Sequence, residues 1–235
     1  MNNQSTKTKW EEEQQIIHHL MIKVPFLTNS GIMKGKMGIV ILFYMLSKEK
    51  SQKVYADYAG ELLDCILEEL YNESVIDFAS GLPGIIWGIE YLIQNKYIEG
   101  DCSDICNEVD NRIISLDPKR IHDTSLNKGL QGLLHYVLMH IQGCLMLNSQ
   151  NPFDKAYLND LYTNIKARLE TSNDKCFISI AEKYREFIEK GNLNYQPSIK
   201  AFSKKIEHFD ISKIDDYPSG IFNGLASLIL LKSNT

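Results

Sequence analysis

Several kinds of signal are missing from this 235-residue chain, and each absence removes a class of function. Basic residues are outnumbered: 25 Lys and Arg against 30 Asp and Glu leave a net charge of −5, which gives no basic footprint for nucleic acid. No stretch approaches about 18 uninterrupted apolar residues, so no membrane span is expected. The opening residues Met1–Lys7 are followed by no apolar core of the signal-peptide kind. The five cysteines (Cys65, Cys102, Cys106, Cys144 and Cys176) form no Cys-x-x-Cys pair. An odd number, four of them on apolar helical faces, reads as reduced thiols in a cytoplasmic protein. No Walker loop, Gly-x-Gly-x-x-Gly or Gly-x-Ser-x-Gly occurs, so nucleotide binding and α/β-hydrolase chemistry have no motif behind them. Strand signals are almost absent.

What is present is a repeated glycine pair. Gly35-Lys36-Met37-Gly38, Gly81-Leu82-Pro83-Gly84 and Gly129-Leu130-Gln131-Gly132 each open an apolar run, and their first glycines lie 46 and 48 residues apart. A fourth copy, Gly224-Leu225-Ala226-Ser227, follows 95 residues later, close to two periods, with Ser at the second position. Self-similarity at such a period means stacked supersecondary units. Two side-chain-free positions on one helical face let backbones approach closely, and the first Gly relaxes the turn into the helix. Each Gly costs about 1 kcal/mol of helix propensity, so repeating it implies a packing reason.

Between the motifs lie amphipathic stretches of helical period. Val54, Tyr58, Leu62, Ile66 and Leu70 recur every four residues, and Leu63 and Leu67 widen the stripe. The runs after the Gly motifs, such as Ile85 to Ile93, are apolar on nearly all sides. Each unit is expected to pair a half-exposed outer helix with a more buried inner one: 9–23 with 35–48, 52–71 with 81–95, 101–116 with 128–147, 153–171 with 175–190, and 196–208 with 219–232. The fourth pair lacks the motif and is a degenerate repeat.

Ser80-Gly81-Leu82-Pro83-Gly84-Ile85-Ile86-Trp87-Gly88-Ile89-Glu90-Tyr91-Leu92 and Ser219-Gly220-Ile221-Phe222-Asn223-Gly224-Leu225-Ala226-Ser227-Leu228 resemble repeats of the lanthionine synthetase C-like family. The resemblance implies an α/α toroid with inner helices around a centre, here with fewer hairpins than the family's rings. It also implies kinship with enzymes that add a peptide cysteine thiol to a dehydrated serine or threonine. Those enzymes hold zinc with two cysteines and a histidine, one cysteine in a Cys-His-Gly sequence. This chain has no Cys-His-Gly, and Lys34, Ser80, Lys128 and Asn223 precede its Gly motifs. No family metal ligand or catalytic residue carries over, and neither cofactor nor metal is expected.

The loops ahead of inner helices carry acids: Asp77, Asp123, and Asp215 with Asp216. Carboxylates converging from several repeats suit acid/base work; alternatively they cap helices. His122 beside Asp123 has a carboxylate to set its tautomer, or is a solvated loop histidine. His135 and His140, within an inner-helix run, read as satisfied semi-buried residues. Cys102 and Cys106, four apart on one helical face, make with His122 a three-ligand metal candidate of non-standard spacing.

The expectation is an all-α, single-domain protein over 1–235, a toroid or open arc of about five helical hairpins. Two functions compete. One is a non-catalytic peptide-binding or scaffolding relative of the thioether cyclases, accessory to modified-peptide biosynthesis. The other is a divergent enzyme acting on a peptide or glycan through His122, Asp123, Asp77 and Asp216. The expected partners are a peptide, another protein or a second copy of the chain, with no nucleic acid and no membrane.

Overall fold

Each Gly motif begins a helix, and all four do so by one local device. The structure, a computed structural model, describes residues 2–70, 73–100 and 103–233. The N–H just after the first glycine donates to the carbonyl six residues upstream of that glycine: Lys36 to Asn29 at 2.9 Å, Leu82 to Val75 at 2.9 Å, Leu130 to Asp123 at 2.9 Å and Leu225 to Pro218 at 2.7 Å. The preceding loop is thereby folded back onto the helix start. At Gly81 a Cβ would stand 2.1 Å from the Val75 carbonyl oxygen. The φ values there are ordinary, −112° at Gly81 and −109° at Gly129, so the expected relaxation of the turn is not the reason for glycine. The reason is close approach, chiefly to the helix's own preceding loop.

The chain is all-α. Its helices are α1 (Asn2–Lys23), α2 (Lys36–Lys50), α3 (Lys53–Leu70), α4 (Leu82–Gln94), α5 (Ser103–Ile114), α6 (Leu130–Leu147), α7 (Lys155–Leu169), α8 (Lys175–Lys190) and α9 (Leu225–Leu230). No strand occurs among the described residues; an isolated parallel bridge joins Lys204 and Phe222. Where the fourth pair lacks glycine, Asp174 caps α8 instead, its carboxylate accepting from Cys176 N–H and Phe177 N–H. The helix expected over 196–208 is absent: Ile199–Phe202 is a single 3-10 turn followed by irregular backbone.

Two compact units result, Met1–Asn72 with Ser198–Thr235, and Glu73–Pro197. In the first, α2 is buried from Lys36 to Leu46, α3 packs along it, and α9 lies against α1 and α2. Lys36 is 3% exposed and meets Glu69 at 2.8 Å. On α3 the buried stripe runs through Tyr55, Ala59, Leu62, Leu63, Ile66 and Leu70, while Val54 is exposed. The expected i, i+4 row overshoots a 3.6-residue turn by about 40° per step, which carries its first members off the face. In the second unit α6 packs against α4 and α8, α5 against α4, and α7 against α8. By length and composition α6 is apolar enough to cross a membrane, yet 61% of it is buried inside the protein.

Gly132 and Gly60 separate propensity from packing. A Cβ on Gly132 would lie 2.4 Å from the Leu126 carbonyl oxygen and 2.6 Å from Phe78 Cβ; on Gly60, in α3, it would meet only the Tyr44 hydroxyl at 3.7 Å. Gly60→Ala is expected to stabilise by about 0.5–1 kcal/mol and Gly132→Ala to destabilise by about 1–3 kcal/mol in urea unfolding. A Gly132→Ala protein as stable as wild type would refute the role given to the second glycine.

Candidate functional site

Three helices of the Glu73–Pro197 unit each place two polar residues, one turn apart, on an otherwise apolar face. They are Glu90 and Gln94 on α4, Cys106 and Asp110 on α5, and Tyr136 and His140 on α6. Positions i and i+4 share a helical face, so these pairs converge where α4 meets α5 and α6. Glu90, Cys106, Asp110, Tyr136 and His140 are all buried, and Asp110 is only 2% exposed.

His140 is the hub. Its Nδ1 bonds to Glu90 Oε1, and its Nε2 lies 2.9 Å from Asp110 Oδ2. The Tyr136 hydroxyl donates to Asp110 Oδ1 at 2.8 Å, Gln94 Nε2 donates to Glu90 Oε2 at 3.1 Å, and the Cys106 thiol donates to Glu90 Oε1 at 3.8 Å. Phe153 closes one side, edge-on to the imidazole at 6.1 Å. Burial by itself would drive the imidazole toward neutrality; Asp110 and Glu90, bonded to its two nitrogens, override that and raise it to about 11. Burial pushes the Glu90 carboxyl up, against the pull of His140. The site thus holds an imidazolium between two carboxyl groups.

Five residues earlier on α6, His135 has the opposite fate. Trp87 Nε1–H donates to the Tyr195 hydroxyl at 2.9 Å, and that hydroxyl shares a hydrogen bond with His135 Nδ1 at 2.9 Å. Burial, with the Lys183 charge adding to it, takes this imidazole down to about 3. Burial therefore prevails at His135, while at His140 two acids override it.

A cavity of about 370 Å³ opens beside His140. Glu90, Cys106 and His140 form part of its wall, with Gln94 and Asn107, and apolar walls come from Ile93, Met146, Leu147 and Pro152. Sites of this size with a few convergent polar groups are the usual form of a ligand pocket.

No protein-family model, no curated protein and no solved structure matches this chain.

The loop residues singled out from the sequence are placed otherwise. Asp77 is half-buried, and its Oδ1 accepts from Ser80 N–H at 2.7 Å; Asp123 is exposed and accepts from Ser125 N–H at 2.7 Å and Ser125 Oγ at 2.9 Å. Both hold their own loops. His122 is exposed with Nδ1 2.6 Å from Arg168, and Asp216 is exposed in the other unit, beside Asp215, which pairs with Lys23 at 3.1 Å. Cys102 lies outside the described residues, while Cys106 meets Glu90 and His140. Glu90 and Asp110 were not singled out from the sequence. The signal that could have found Glu90 is a lone carboxylate in the apolar run Ile85–Ile93.

The two histidines of α6 should separate by nuclear magnetic resonance of the imidazole nitrogens in chelator-treated protein. From pH 5 to 9, His140 is expected to stay doubly protonated and His135 neutral. Titration of His140 near 6.5 would show that the two acids do not hold it. Because its folded value lies above 6.5, the stability it lends is full below about pH 6.5 and is lost as pH climbs toward 11.

Proposed function

We propose that this chain is a peptide-binding protein of the α/α kind, an open arc of helices, related to the lanthionine synthetase C-like cyclases and accessory to peptide modification. The carrying observation is the cavity between α4, α5 and α6. Its mouth is built from flexible apolar side chains: Met146 is 58% and Leu147 65% exposed, and Leu145 beside them in the chain is 60% exposed. An apolar pocket whose surface runs outward along a Leu-Met-Leu run suits an extended ligand that puts one side chain in and lays its neighbours over the rim. The arc reading is supported by the burial contrast between helices. Those that follow a glycine pair (α2, α4 and α6) are buried on most sides, while α3, α7 and α8 carry one buried stripe each.

The competing reading, acid/base catalysis by His122, Asp123, Asp77 and Asp216, draws no support from the bonds those residues make. Asp77 and Asp123 are engaged in local turns of the loops rather than capping the helices, whose N-caps Gly81 and Gly129 receive no side-chain bond.

Fluorescence anisotropy with labelled peptides bearing Leu, Met or Phe tests the proposal, in a chelating buffer. Leu147→Glu and Met146→Glu alter exposed residues and leave the core intact. Each is expected to weaken binding about tenfold or more, since a buried Leu or Met side chain contributes about 1.5–3 kcal/mol. Equal affinity in both variants, or no binding of any such peptide by wild type, would overturn it.

A further inference from the structure

Glu90, Cys106 and His140 bring a carboxylate oxygen, a thiol sulfur and an imidazole nitrogen within 4.8 Å of one another, all buried and all on the cavity wall. We propose that these three residues form a binding site for a divalent cation of the zinc class, with its fourth position facing the cavity. The donor set is the first argument. One sulfur, one nitrogen and one oxygen suit zinc, and three protein ligands with one open position is the arrangement of a zinc site that accepts a further ligand. At metal–ligand distances of about 2.0–2.3 Å the donors of a tetrahedral site stand roughly 3.3–3.8 Å apart, which small side-chain rotations supply from the observed spacing.

The surrounding bonds are those of a metal site's outer shell. Asp110 Oδ2 stands 2.9 Å from His140 Nε2 as an ion-pair partner, which leaves Nδ1 as the ligating nitrogen. Tyr136 in turn holds Asp110 at 2.8 Å, and Gln94 holds Glu90 through Oε2 at 3.1 Å, so that Oε1 is turned toward His140 and Cys106. The charge also favours a cation: two acids share one imidazole in a buried place. A separate observation points at the open position. Gln94 Oε1, whose side chain lines the cavity, is buried with no hydrogen-bond donor among the described residues. A water bound to the metal is a donor of the kind that atom lacks. When the cation enters, the Cys106 thiol proton and the Nδ1 proton leave to solvent. The cation then takes the place that the Nδ1 proton holds between imidazole and Glu90.

Cobalt titration of the chelator-stripped full chain, without peptide, is the test. The expected result is one Co²⁺ per chain, displaced by Zn²⁺, with a thiolate-to-cobalt charge-transfer band. That band should vanish in Cys106→Ser and persist in Cys65→Ser and Cys176→Ser, whose cysteines are exposed. Asp110→Asn, a positioning change, should weaken affinity about 10–100-fold while keeping the band. No bound cobalt, or a band that survives Cys106→Ser, overturns the proposal. X-ray absorption of zinc-loaded wild type decides without any variant: one sulfur among nitrogen and oxygen donors supports the site, and none or two or more overturns it. Peptide binding is measured with chelator and metal binding without peptide, so either reading can fail alone.

Discussion

The bond from a helix's first N–H back to a carbonyl in its own loop is the constraint on which α2, α4, α6 and α9 rest. It is made four times at 2.7–2.9 Å. It satisfies one of the orphan donors at a helix start without spending a side chain on the task. The space this needs is that of a missing Cβ, so the motif can vary at its middle positions while glycine stays at its first. Those middle positions then serve other ends: the buried Lys36 reaches out to the exposed Glu69, and Pro83 sits in the first turn of α4, where its missing N–H does little harm. With loop and helix start clamped together, the register of every residue further along α4 and α6 is set. That register delivers Glu90 and His140 to the same point.

The interior of the Glu73–Pro197 unit then shows how much a side chain's chemistry depends on its neighbours. His135 and His140 ride on one helix, five residues apart, and are driven in opposite directions: the first down by burial and the Lys183 charge, the second up by the acids of α4 and α5. Burial favours the neutral form in both. Only the direct bonds to Glu90 and Asp110 reverse it. There the attraction of the two acids outweighs the cost that burial sets on the charged ring.

How far this was legible in the sequence follows from the range of each signal. The glycine pairs announce helix starts, since the device is local and spans fewer than ten residues; α2, α4, α6 and α9 begin where the motifs stand. The stripe on α3 was legible in its second half and misread at Val54, because a strict four-residue row drifts around a helix. The outer partner expected at 196–208 was not there: backbone bonds such as Lys204 N–H to the Ile221 carbonyl at 3.2 Å take its place. The cluster was the least legible part. Each of its i, i+4 pairs is ordinary alone, and only the packing of α4, α5 and α6 shows that the three meet. Asp77 and Asp123 drew attention because loops ahead of helices gather chemistry, but their carboxylates hold the turns of those loops and neither cap a helix nor meet a partner acid.

The unit containing α1 to α3 is completed by residues from the other side of Glu73–Pro197. Gly38 has Ile221 against it, Phe222 N–H donates to the Met33 carbonyl at 3.0 Å, and α9 seats on α1 and α2. During synthesis the intervening unit therefore has all its own partners available first, while α1, α2 and α3 wait with apolar faces only partly covered until the α9 segment emerges. The order of completion along the growing chain is middle first, flanks last. The early-made helices are the ones exposed longest to aggregation or to a chaperone's grip.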